Sequence, residues 1–103
     1  MPSYELVLQF RGRQVETEDE VVAIEDVLVE LLPATDTLDD HEVGTGARNI
    51  FVTTSDPQAT FTHIAPFLAR AALLDHVTAA FRVPTGDAYT VIWPENTAAF
   101  ARA

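Results

Sequence analysis

The chain has 103 residues with 16 acidic against 6 basic side chains, a formal net charge of -10, and its length fits one domain with a single two-layer core. All six basic residues are arginine, and so negative a surface repels nucleic-acid phosphates and anionic lipid headgroups while favouring basic protein partners or cations. With no cysteine there is no disulfide, no thiolate metal site and no cysteine nucleophile.

The opening MPSYELVLQF lacks a basic region followed by an apolar run of signal-peptide length, so a cytoplasmic location is expected. From Tyr4 to Phe10, Tyr4, Leu6, Leu8 and Phe10 alternate with Glu5 and Gln9, the period of a strand with one buried face. Arg11, Gly12 and Arg13 read as a turn. Thr17 and Glu20 form a capping box, after which Val21, Ile24, Val27, Leu28, Leu31 and Leu32 recur at helical spacing. The acidic run Glu18, Asp19, Glu20 opposes the positive end of the helix dipole, and Pro33 stops a helix expected over 18–32.

Thr35 to Val43 has only Leu38 and Val43 as large apolar residues and reads as a short, polar edge strand. Gly44-Thr45-Gly46 reverses the chain into a more central strand, Asn49 to Thr54, rich in β-branched side chains. Ser55 or Asp56 caps a second helix, with Pro57 in the first-turn position that tolerates a missing amide hydrogen. Phe61, Ile64, Ala65, Leu68, Ala71 and Ala72 share one face of a helix expected over 57–74, with Pro66 and His63 on its wet side. Val77 to Val83 and Tyr89 to Trp93 alternate on either side of Pro84-Thr85-Gly86-Asp87 and predict a hairpin, with His76 at the start of its first strand. Pro94 ends it, and the alanine-rich tail to Ala103 reads as a turn or two of helix or a frayed end.

The order of elements predicts an α+β ferredoxin-like sandwich: βαββαβ plus a C-terminal strand, both helices on one face of an antiparallel sheet, the first and third strands central and parallel. Leu6, Leu8, Phe10, Ile50, Val52, Ala79 and Phe81 then face the helices. Val7, Phe51, Ala80 and Ile92 face away, as a partly apolar open surface suited to a second copy of the chain, a ligand or the folded-back tail. Which way Tyr89, Val91 and Trp93 point stays open at this stage.

The densest local pattern is DDHEVGTGARNIFV, Asp39 to Val52. Asp39, His41, Gly44, Gly46, Asn49, Ile50 and Phe51, followed by Asp56-Pro57, resemble a motif of a family of small, functionally uncharacterised bacterial proteins: D-x-H-x-x-G-x-G-x-x-N-I-F before a helix start. The resemblance implies a recurring type of stretch and no activity. On their own chemistry, Asp39, His41, Gly44, Gly46, Arg48 and Asn49 are the candidate ligand-binding residues. Strict alternation places Asp39 with His41 on one face and Asp40 with Glu42 on the other. Two ligands make a weak metal site, so neither a metal nor a cofactor is expected. Gly-x-Gly here runs from strand to strand, whereas phosphate loops run from a strand into a helix N-terminus.

These readings converge on a small acidic, non-enzymatic protein-interaction module, of immunity or inhibitory type, homodimeric through its open sheet face, with a basic protein partner and neither nucleic acid nor membrane. The alternatives are a small-molecule-binding sensor domain and a small dimeric ferredoxin-like enzyme using His41 with Asp39 as its acid-base pair.

Overall fold

The computed structural model describes residues 3–11, 18–33, 36–44, 47–83, 85–86 and 88–93. The strands are β1 (Tyr4–Arg11), β2 (Thr37–Gly44), β3 (Ala47–Thr54), β4 (Val77–Arg82) and β5 (Thr90–Trp93), and the helices are α1 (Glu18–Leu31) and α2 (Pro57–Arg70). The strands form one five-stranded sheet in the order β2-β3-β1-β4-β5, antiparallel at every pairing. The architecture is α+β. Among the described residues no helix is long and apolar enough to cross a membrane. The capping residue Thr17, the turn residues Gly12, Arg13, Pro84 and Asp87, the last two residues of the Gly-x-Gly, Thr45 and Gly46, and the tail after Trp93 lie outside the described residues.

The first and third strands are central, as expected, but antiparallel. The reason is the hairpin between β2 and β3: it inserts β3 beside β1, so the strand that runs parallel to β1 is β2, one place removed. Around α2 the same arrangement recurs, with β1 lying between β3 and β4.

The helices bury one side of this sheet. Val21, Ile24 and Leu28 of α1 and Phe61, Ile64 and Leu68 of α2 pack in one cluster with Leu6, Leu8, Phe10, Ile50, Val52, Val77 and Ala79. That set matches the period of each element, 3.6 in the helices and 2 in the strands. Pro66 sits exposed inside α2, where its missing amide hydrogen faces water.

α2 ends four residues before the expected boundary. Ala72 adopts φ 59, its amide donates to the Ala69 carbonyl at 3.2 Å, and the Leu73 amide donates to the Leu68 carbonyl at 2.8 Å. This is a Schellman ending with alanine where glycine is usual, held by the contact of two buried leucines, Leu68 and Leu73. A short 3-10 turn, Leu74–His76, follows and contains His76.

A break in register between Ala79 and Ala80 resolves the parity of β5: Ala79 pairs with Trp93 while Ala80 pairs with Val91. Ile92 is the extra residue of a bulge, so Trp93 lies on the helix side and Val91 on the other. Trp93 stacks on Phe61 at 6.3 Å between ring centroids and donates its indole N–H to the Leu74 carbonyl at 2.9 Å.

The surface expected to be open is buried at its centre. Val7 and Ala80 are 0% exposed and Phe51 8%, and Ile92 packs against the core instead. The register sets Phe51, Val7, Ala80 and Val91 in one apolar row. Two polar rows border it, Asn49-Gln9-Thr78 and Thr53-Glu5-Arg82. At the latter row Arg82 donates to Glu5 at 3.1 Å and to the Gly86 carbonyl at 3.0 Å, and its guanidinium lies 5.4 Å from the centre of the Tyr89 ring.

Candidate functional site

Where α1 ends, Leu32 still donates to the Leu28 carbonyl and Pro33 stops the helix; a turn closed by the Asp36 amide on the Pro33 carbonyl at 2.9 Å brings Asp36 back beside it. Two clefts of about 290 Å³ each open at this point. One is a groove between the end of α1 and β2, lined by Val29, Leu32, Pro33, Asp36, Thr37 and Leu38. The other, lined by Pro33, Asp36, Thr54, Ser55, Asp56, Ala59, Thr60 and His63, lies at the start of α2. Pro33 and Asp36 belong to both.

The floor of the second cleft is a chain of hydroxyls with a fixed sense. Thr60 donates to Asp36 Oδ2 at 2.6 Å, so its oxygen accepts from Thr54 at 2.8 Å, and Thr54 in turn accepts from the Asp56 amide at 3.1 Å. The sense follows from the ionised carboxylate, which only accepts. Asp56 caps α2 by accepting from the Ala59 amide at 3.1 Å, with Pro57 behind it. One turn further on, His63 is exposed as expected, but its Nε2 donates to the Leu31 carbonyl at 2.7 Å. Since a carbonyl only accepts, Nε2 carries the proton, and the ring satisfies one of the orphan carbonyls at the end of α1. Thr60 and His63 thus hold the α1–β2 connection onto α2.

α1 exposes two valines to water. Val22 is 40% and Val29 60% exposed, seven residues apart and hence on one side of the helix, and Val29 runs into the groove with exposed Pro33 and half-buried Leu32 and Leu38. Asp26 and Glu30 of the same helix are also exposed. Between Gln14 and Ala47 the sequence holds eleven of the sixteen acidic residues and no arginine or lysine. Six lie on α1, three on β2, and Asp36 joins them.

The residues singled out from the sequence fall elsewhere. A register break between Leu38 and Asp40 makes Asp39 the extra residue of a bulge; its carboxylate accepts from the Thr53 hydroxyl. Beyond the bulge His41 takes the position opposite Ile50, a core residue, and strict alternation no longer relates it to Asp39. Gly44 pairs with Ala47 at the end of β2. Arg48, opposite Phe10, and buried Asn49, opposite Gln9, take alternate faces of β3. None of these lines either cleft. Among the described residues no three histidine, aspartate or glutamate side chains come together as a metal site. Sequence reasoning missed Val29, Pro33 and Asp36; the signal for them was an apolar residue on the polar flank of α1 and a run of carboxylates without arginine.

Compared with protein-family models, with curated proteins and with solved structures, the chain has no significant match.

Proposed function

We propose that the chain is a single ferredoxin-like domain acting as a small acidic protein-binding module, of immunity or inhibitory type, that engages a basic protein partner through its α1–β2 edge. One observation carries this reading: eleven acidic residues and no arginine or lysine lie between Gln14 and Ala47, the segment that also carries the exposed Val29 and most of the groove it lines. A field of one sign attracts the opposite sign and speeds encounter. Self-association through the sheet face is a weaker reading, because Val7, Phe51 and Ala80 are buried within the chain and two copies of net charge -10 repel. Nucleic acid and anionic membrane are disfavoured by the same charge.

The test is association kinetics against a set of small basic proteins and a matched acidic set. Binding is expected only to the basic set, with an association rate that falls steeply between about 50 and about 500 mM salt as the Debye length shortens. A rate insensitive to salt, or equal binding to both sets, refutes it.

A second reading, a sensor for a small cationic metabolite, is favoured by the cleft that Asp36, Asp56 and His63 line. A thermal-shift screen of amines and guanidines checks it, since a ligand specific to the native state raises the melting temperature.

A further inference from the structure

The groove and the second cleft are two compartments of different chemistry sharing one wall. The first is mainly apolar, with Val29, Leu32, Pro33 and Leu38 around it; the second offers carboxylates from Asp36 and Asp56. We infer that this double cleft seats an extended segment of a basic protein. One apolar side chain of the segment fills the Val29–Leu38 groove, and a neighbouring arginine reaches the carboxylates of Asp36 and Asp56. This rests on the reading of the chain as an acidic binding module and adds where and by what pattern the partner docks.

Three arguments choose this occupant. The two compartments share the wall formed by Pro33 and Asp36, so adjacent side chains of one extended segment reach both. Val29 is 60% exposed, so an apolar side chain laid against it removes surface that now faces water. Charge complementarity selects the partner. The net charge of -10 opposes a second copy of this chain, whereas an arginine meets the carboxylates of Asp36 and Asp56 that line the second cleft. Arginine is favoured over lysine because its planar fork bridges two carboxylates.

The probe is a labelled dodecapeptide of repeating Arg-Leu-Arg-Ser, compared with a copy in which serine replaces leucine, at about 150 mM salt where exposed charges are largely screened. The leucine peptide is expected to bind the intact chain at least about tenfold more tightly than the serine peptide, a factor that corresponds to about 1.4 kcal/mol. Amide NMR shifts should centre on Val29, Thr37 and Leu38. The deciding variant is Val29→Glu, at an exposed position that tolerates it: it blocks the groove while adding a negative charge. Docking in the groove predicts at least about tenfold weaker binding of the leucine peptide, while Val83→Glu, at an exposed valine outside both clefts, leaves it unchanged. Unchanged or tighter binding by Val29→Glu overturns the groove and leaves the acidic module standing on charge alone. Failure of both peptides to bind, even at low salt, overturns both.

Discussion

Thr60 and Asp36, 24 residues apart, are joined by a 2.6 Å hydrogen bond from hydroxyl to carboxylate, and this contact fixes the connection between α1 and β2 to the first turn of α2. Because Thr60 is buried and its oxygen also accepts from Thr54, its removal strands two partners at once. Thr60→Val, which keeps the shape, is expected to cost about 2–3 kcal/mol in urea unfolding, and Thr60→Ser less than about 1 kcal/mol. A larger loss from Thr60→Ser than from Thr60→Val points instead to packing of the methyl group as the source.

At the other end of α2 the chain takes a left-handed step at an alanine. Ala72→Gly removes the Cβ that this conformation disfavours and is expected to stabilise the fold by about 0.5–1 kcal/mol, raising the melting temperature by a few degrees. Calorimetry checks the sign; a loss shows that the glycine's unfolded-state entropy outweighs the relief.

The single tryptophan is tied to the segment that follows this ending. Trp93→Phe keeps an aromatic ring against Phe61 but removes the donor to the Leu74 carbonyl, with an expected cost of about 1–2 kcal/mol by denaturant titration. In the parent chain its fluorescence should shift to the red in one step with the loss of helical circular dichroism. Separate transitions mean that β5 detaches before the core opens.

Arg82 lies among Glu5, Gly86 and Tyr89, with the Arg82 and Glu5 side chains 21% and 25% exposed. Arg82→Met is expected to destabilise by about 1–2 kcal/mol, and Arg82→Lys to recover less than half, because an ammonium makes neither the forked contacts nor the same ring stacking. A double-mutant cycle with Glu5→Gln should give a coupling of about 0.5–1 kcal/mol that shrinks with salt. A coupling near zero assigns the role to the carbonyl and the ring.

How much of this was legible beforehand differs by element. The helix over Val21 to Leu28 was readable because burial on one face imposes its period, and β1 was readable because Leu6, Leu8 and Phe10 share the helix side, although Val7 and Gln9 on the other side are buried too. Asp56-Pro57 announced the start of α2 through cap chemistry. Its end was not announced, since the Schellman turn uses alanine and rests on a contact between Leu68 and Leu73 that spacing alone does not distinguish from continued helix. Both bulges were invisible for a related reason: an extra residue changes parity without changing composition, so Asp39 parts from His41 and Trp93 turns to the core. The candidate site was hidden because its members, Val29, Asp36 and Leu38, meet only when a helix end, a turn and an edge strand are placed together. The Asp39–Val52 stretch is denser in sequence, but its polar residues are spread along a hairpin.

The position of β1 has a further consequence. It is the middle strand, and its partners come late: Tyr4 pairs with Thr54, and Glu5 with Arg82. During synthesis β1 therefore emerges ahead of both strands that pair with it and waits until β4 is made before both of its edges are covered. An uncovered strand edge is a template for joining neighbouring nascent chains. By the time β1 has emerged and waits, the next stretch to appear is the carboxylate-rich one, so each growing chain carries its negative charge early and holds its neighbours apart until β4 arrives.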